Sequence, residues 1–138
     1  PAFSRTVLKL TRKTEYALIA LRHLRLVDLD EVVSAKDIAA HYNIPQPLLA
    51  KVLQELSRRD FVEPVQGPKG GYRLKAKLDT ITMTQFFEMM EGPLGLMDCY
   101  FDSNCKLLDN CNIRLPIQRI NESMRTMFDK MTLSDVTI

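Results

Sequence analysis

No run of apolar residues in this sequence approaches the roughly 20 that a membrane-spanning helix needs. Residues 1–10 lack the apolar stretch and cleavage pattern of a secretory signal peptide. Cysteine is scarce and odd in number: three residues cannot complete a disulfide framework, which fits a reducing cytoplasm better than an oxidising compartment. There is no glycine-rich phosphate cradle, no nucleophile–base signature and no convincing catalytic pair, so an enzyme is the least favoured class and no catalytic residue is assigned. Internal repeats and low-complexity segments are also missing.

What is present is an ordinary globular balance, 46% hydrophobic and 26% charged over 138 residues, enough to bury a core. The net charge of +2 is unevenly spread. Residues 1–82 hold 14 Lys/Arg against 9 Asp/Glu, whereas residues 83–138 hold 5 against 8. Only the first half is therefore expected to approach phosphate.

Apolar periodicity predicts a helix over 12–27, with Ala17, Ala20, Leu21, Leu24 and Val27 on one face and Arg22 and Arg25 on the other. Residues 28–33 read as a polar turn. Ser34 with Asp37 resembles an N-cap and acidic first turn, opening a short helix through His41. Asn43, Pro45 and Pro47 break that helix, and a third runs over 47–59. Its apolar stripe is Leu49, Val52, Leu53 and Leu56, while Gln46, Ala50, Lys51, Gln54 and Arg58 fall on the other face. Two short helices joined by a tight turn, after a longer support helix, form a helix-turn-helix pattern.

Two strands are expected next, 61–65 and 72–74, joined by Gln-Gly-Pro-Lys-Gly-Gly at 66–71. Three glycines and a proline in six residues demand a tight hairpin. A hairpin directly after a recognition helix is a wing, and Lys69 at its tip can meet phosphate or enter the minor groove. Thr82 or Thr84 then caps a helix over 85–91, with Phe86, Phe87, Met89 and Met90 mostly packing inward and the methionine pair read as plain core. A polar, cysteine-bearing loop covers 98–112. The last helix starts near Pro116 and carries Ile117, Ile120, Met124, Met127 and Met131 at alternating three- and four-residue steps. That heptad-like seam suits packing against a symmetry mate.

Cys99, Cys105 and Cys111 form a C-x5-C-x5-C set, all three thiols within 13 residues and none elsewhere. Soft thiolates select iron–sulfur clusters, zinc or copper. Structural zinc uses closer cysteine pairs, cluster sites draw thiolates from loops with a variable fourth ligand, and two of the three thiols can also pair as a redox switch. On spacing alone these three readings stay open, the cluster first.

Four stretches together resemble the IscR/NsrR-type family of iron–sulfur winged-helix transcription regulators: LTRKTEYAL at 10–18, IPQPLLAKVLQEL at 44–56, VQGPKGGYRL at 65–74, and the cysteine loop with the helix that follows, ending in MTLSDV at 131–136. The resemblance implies that Cys99, Cys105 and Cys111 ligate a cluster. IscR-like members place a histidine three residues after the last cysteine, where this chain has Arg114, so a 2Fe–2S cluster of that type is disfavoured. NsrR-like members complete a 4Fe–4S cluster with a carboxylate from the partner subunit, and Glu15 stands at that position. Glu15 also reads simply as a helix charge paired with Arg12 or Arg22. His41 lies near, but one residue from, the place where another branch donates a histidine, and His23 reads as a packing or surface residue. Pro47, Ala50 and Gln66 depart from the IscR-like DNA-reading side chains, so no operator sequence carries over.

The expected architecture is mainly α with a small β-hairpin: a winged helix-turn-helix (8–80), a short helix and cysteine loop (81–114), and a C-terminal dimerisation helix and tail (115–138). The expected function is a cytoplasmic, homodimeric repressor or activator that binds a double-stranded DNA operator under control of an iron–sulfur cluster sensing redox, nitric oxide or iron/cluster status. Gln46, Lys51, Gln54 and Lys69 are the expected DNA contacts. The rivals are a cofactor-free winged-helix regulator using a thiol switch or a protein partner, and an interaction module with structural zinc.

Overall fold

The structure, a computed structural model, describes residues 10–28, 30–93 and 112–138, with Arg114 by its backbone alone. The described elements are helices α1 (Arg12–Leu26), α2 (Ala35–Tyr42) and α3 (Gln46–Arg58), strands β1 (Val62–Val65) and β2 (Gly71–Leu74), a 3-10 turn (Leu78–Thr80), and helices α4 (Met83–Glu91), α5 (Arg114–Asp129) and α6 (Leu133–Val136). They fall into two compact units, one of Thr11–Leu78 with Thr137–Ile138, the other of Asp79–Val136 with Leu10.

In the first unit Thr11 caps α1, its hydroxyl accepting from the Thr14 amide at 3.3 Å. Thr14, Ala17, Ala20, Leu21 and Leu24 are buried, and the small side chains among them let α3 and the hairpin pack closely on α1. Val27 lies just past the helix as its C-cap, and Thr14 joins the buried face that periodicity had assigned to apolar residues alone. Ser34 caps α2 as expected, accepting from the Asp37 amide at 3.0 Å. Asn43 ends it in the left-handed region (φ 56°), the conformation that turns the chain from α2 into α3.

Pro47 sits in the first turn of α3, where a missing amide hydrogen costs nothing. Leu49, Val52, Leu53 and Leu56 are buried beneath it. The helix closes on a Schellman pattern: the Phe61 amide donates to the Leu56 carbonyl at 2.9 Å and the Asp60 amide to Ser57 at 3.1 Å. Asp60 occupies the left-handed position (φ 63°) that glycine usually fills.

The antiparallel hairpin pairs Val62 with Leu74, Glu63 with Arg73, Pro64 with Tyr72 and Val65 with Gly71. Val33 corrects the polar-turn reading of 28–33. It is buried and forms an antiparallel bridge to Tyr72, with hydrogen bonds of 2.9 and 2.8 Å in the two directions. A bridge of one residue offers no periodicity by which to recognise a strand. The bridge explains Gly71, because a Cβ there would run into the Val33 carbonyl oxygen.

In the second unit Thr82, not Thr84, caps α4. Its hydroxyl accepts from the Gln85 amide at 3.1 Å while the Gln85 side chain accepts from the Thr82 amide at 2.9 Å. The helix therefore begins two residues earlier than expected. Thr84 is buried, and its hydroxyl donates to the Arg125 carbonyl at 3.4 Å. Phe87 meets Phe128 edge-on at 5.2 Å, and Arg125 pairs with Glu88 at 2.8 Å, joining α4 to α5. α5 starts at Arg114, with Pro116 inside its first turn, and stops at Asp129. Met131 is consequently off the helix: its carbonyl accepts the Met83 amide at 2.7 Å beside a Thr82–Thr132 bridge. No glycine or proline marks that stop, so the apolar rhythm runs past it.

Candidate nucleic-acid interface

The first unit carries 12 Lys/Arg against 8 Asp/Glu over residues 11–78. Five of those cations are neutralised in ion pairs: Arg12 with Glu15 (2.8 Å), Lys13 with Glu55 (3.1 Å), Arg59 with Glu55 (3.8 Å), Arg73 with Glu63 (2.9 Å) and Lys75 with Asp60 (3.1 Å). Among the described residues Lys51, Arg58 and Lys69 form no ion pair, and all three are exposed. With Lys36 of α2, which is likewise exposed and unpaired among the described residues, they are available to phosphate.

α3 brings Lys51 and Gln54 to its solvent side, opposite the buried Leu49–Leu53–Leu56 stripe, and Gln46 is exposed at the first residue of the helix. Leu48, 47% exposed, leans instead toward α1. There a cleft of about 200 Å³ opens between Arg12, Lys13 and Tyr16 of α1 and Leu48, Lys51 and Glu55 of α3. The Lys13–Glu55 pair spans this cleft and fixes α3 against the support helix. Sequence reasoning missed that link, because nothing local connects residues 13 and 55.

Lys69 stands at the exposed tip of the hairpin. The loop is held by the Gly70 amide donating to Gly67 at 2.9 Å, and by Gly67 at φ 111°. Across the stem, Arg73 donates to Glu63; that hydrogen bond and charge hold the Glu63 carboxyl below its ordinary range and the Arg73 guanidinium above its own.

In the same unit His23, His41 and Tyr42 join α1 to α2. The His23 Nδ1 lies 2.7 Å from the Tyr42 hydroxyl, with the His23 and His41 ring centres 5.5 Å apart. Burial, then the neighbouring His41, lowers the His23 pKa below 6.5, against a smaller opposing pull from Glu31.

Of the remaining candidates, Glu15 sits in the first turn of α1, its side chain 35% exposed and bonded to Arg12. Cys99, Cys105 and Cys111 lie outside the described residues. Among the described residues no group of three or more His, Cys, Asp or Glu side chains is arranged to hold a metal, and no helix is long and apolar enough to cross a membrane.

Residues 10–137 match the Rrf2 family, described as "Iron-dependent Transcriptional regulator". The chain is similar to the HTH-type transcriptional regulator NsrR of Geobacillus kaustophilus, 31% identical over 131 residues that cover 94% of this chain and 89% of that one. Its fold is similar to that of CymR, the global cysteine regulator of B. subtilis (TM-score 0.73, 25% identity, 94% of this chain and 96% of that one). It also resembles the fold of T. potens IscR (TM-score 0.69, 23% identity, 93% and 85%). These relatives are transcriptional regulators rather than enzymes, and their winged-helix fold agrees with the hairpin placed after α3. The chain belongs to the Rrf2 family of DNA-binding transcriptional regulators.

Proposed function

We propose that the protein is a cytoplasmic, homodimeric repressor or activator whose affinity for a double-stranded DNA operator is set by an iron–sulfur cluster. In this reading residues 8–80 bind DNA, 81–114 carry the cluster loop and 115–138 dimerise. Gln46, Lys51 and Gln54 enter the major groove and Lys69 meets flanking backbone or minor groove. The observation that carries the cluster is the donor set, three thiolates spaced C-x5-C-x5-C in a chain of a family described as iron-dependent. Such a set suits iron–sulfur ligation. Cys99, Cys105 and Cys111 would be three ligands and the partner subunit's Glu15 the fourth, favouring 4Fe–4S over 2Fe–2S. The Glu15 carboxylate is partly exposed and is engaged by Arg12 alone among the described residues, so it can be released to a new partner. When bound, the cluster supplies an iron that oxidants or nitric oxide can attack.

The likeness to CymR, a cysteine regulator, supports a second reading in which the three thiols act without a cofactor. Anaerobically purified protein separates the two. A brown protein with visible absorbance and stoichiometric iron and sulfide supports the cluster; a colourless one supports the thiol switch, or zinc if zinc is found. Glu15→Ala is expected to alter the spectrum or shorten the cluster's lifetime while the fold survives, and loss of any one cysteine is expected to abolish stable incorporation. An alanine variant with an unchanged spectrum, lifetime and oxidant response would remove Glu15 from the ligand set.

A further inference from the structure

α3 has an unusual reading edge. At 3.6 residues per turn, the direction opposite its buried stripe passes through Pro47, Lys51, Gln54 and Arg58. Pro47 is exposed at the start of this row, and Ala50 is half-buried beside it. A recognition helix presents its N-terminal residues to base edges. Here that position holds a side chain with no hydrogen-bond donor or acceptor. Leu48, the other exposed apolar residue of the turn, lines the α1 cleft, whose edge Lys51 shares with this row, whereas Pro47 does not line it.

The major groove presents donors, acceptors and one apolar group, the thymine C5-methyl. Proline and alanine can be rewarded only by the last. We infer that Pro47, supported by Ala50, reads thymine methyl groups, so that each operator half-site is specified at this point by T·A pairs. The neighbouring polar side chains agree. Gln46 and Gln54 are exposed and make no side-chain hydrogen bond among the described residues, and glutamine pairs with adenine N6 and N7. The free cations Lys51 and Arg58 on the same row supply the charge complement to phosphate. The inference rests on the DNA-binding reading of α3 and adds the chemistry of its ligand: a half-site with a methyl-bearing core and adenine beside it.

The test begins with an operator selected from a random-sequence pool by the full chain, purified anaerobically. Each thymine of the half-site is then replaced singly by deoxyuridine, which removes the methyl and leaves pairing intact. The wild-type protein should lose about fourfold in affinity at one or two positions, the effect of uncovering one buried methyl, and about fifteenfold when both half-sites are changed. Pro47→Ser, which keeps a good helix-start residue, should bind thymine and uracil operators equally while retaining its thermal transition and its salt dependence. Ala50→Ser should reduce the discrimination in part. An operator whose deoxyuridine forms all bind wild type as tightly as thymine overturns the inference and leaves sequence-specific binding intact. Discrimination that persists in full in both variants overturns the assignment to Pro47 and Ala50. A pool that yields no operator overturns both this inference and the reading on which it rests.

Discussion

Gly71 and Val33 meet where a strand of the wing passes the segment leading into α2. The two exchange no side-chain contact, yet the position admits only glycine, because any Cβ would overlap the Val33 carbonyl. Gly71→Ala must push that carbonyl aside and break the bridge to Tyr72. It is expected to lower stability by about 2 kcal/mol, read as an earlier urea midpoint with an unchanged slope. Gly67→Ala offers a contrast. Its site is open but its φ of 111° is strained for alanine, so that loss would be backbone strain rather than collision. His23 makes a second residue-scale prediction. Its pKa is lowered in the fold, so the unfolded chain binds the proton more readily and protonation favours unfolding. The stability this group contributes is complete above its unfolded value of 6.5 and is lost as pH falls from there through the lowered folded value. Melting temperature should therefore decline across that acidic window, and His23→Gln should flatten the decline. An equal decline in the variant would place the titration elsewhere.

Among the elements, those announced by several concordant local signals were legible in the sequence. Ser34 and Asp37 opened α2, the two prolines and Asn43 placed the turn into α3, and Gly-Pro-Lys-Gly-Gly dictated the hairpin. What escaped was structure made by distant partners. Val33 joins the sheet through a residue 39 positions away, and the four-residue α6 is too short for any period. The end of α5 was misread for a related reason. The apolar rhythm continues to Met131, but the backbone leaves the helix at Lys130 to pair with α4. Of the candidate site, the polar face of α3 and the wing lysine were readable, whereas the Lys13–Glu55 tie and the His23–Tyr42 contact depend on tertiary packing.

The seam on α5 keeps its register but shifts its ends, starting from the N-cap Ile113. Ile113 (52% exposed), Ile120 (55%) and Met127 (51%) repeat every seven residues, with Ile117 and Met124 half-buried between them. This alternation extends one step earlier than the sequence pattern suggested and stops before Met131. Five apolar residues at such spacing gain little from water and much from a copy of the same helix. Met124→Asp should weaken self-association by about 3 kcal/mol, over a hundredfold, by burying a carboxylate without a partner. Light scattering across a dilution series would show monomer where the wild type stays dimeric. A variant that remains dimeric throughout would move the interface off α5.

Across the molecule, the winged unit of Thr11–Leu78 is basic and the unit of Asp79–Val136 acidic. Phosphate contact makes DNA affinity salt-dependent in every state of the protein, so tight binding at low salt says little about regulation. Regulation needs a difference in affinity between two states at one salt concentration. The most direct measurement is the operator Kd of cluster-loaded and cluster-free protein, prepared from the same anaerobic stock and titrated side by side at fixed ionic strength. A cluster that controls DNA binding should separate the two values by about tenfold or more, within the usual range of allosteric coupling. A stock that is brown and rich in iron and sulfide, yet binds the operator equally well with its cluster and without it, would contradict the account.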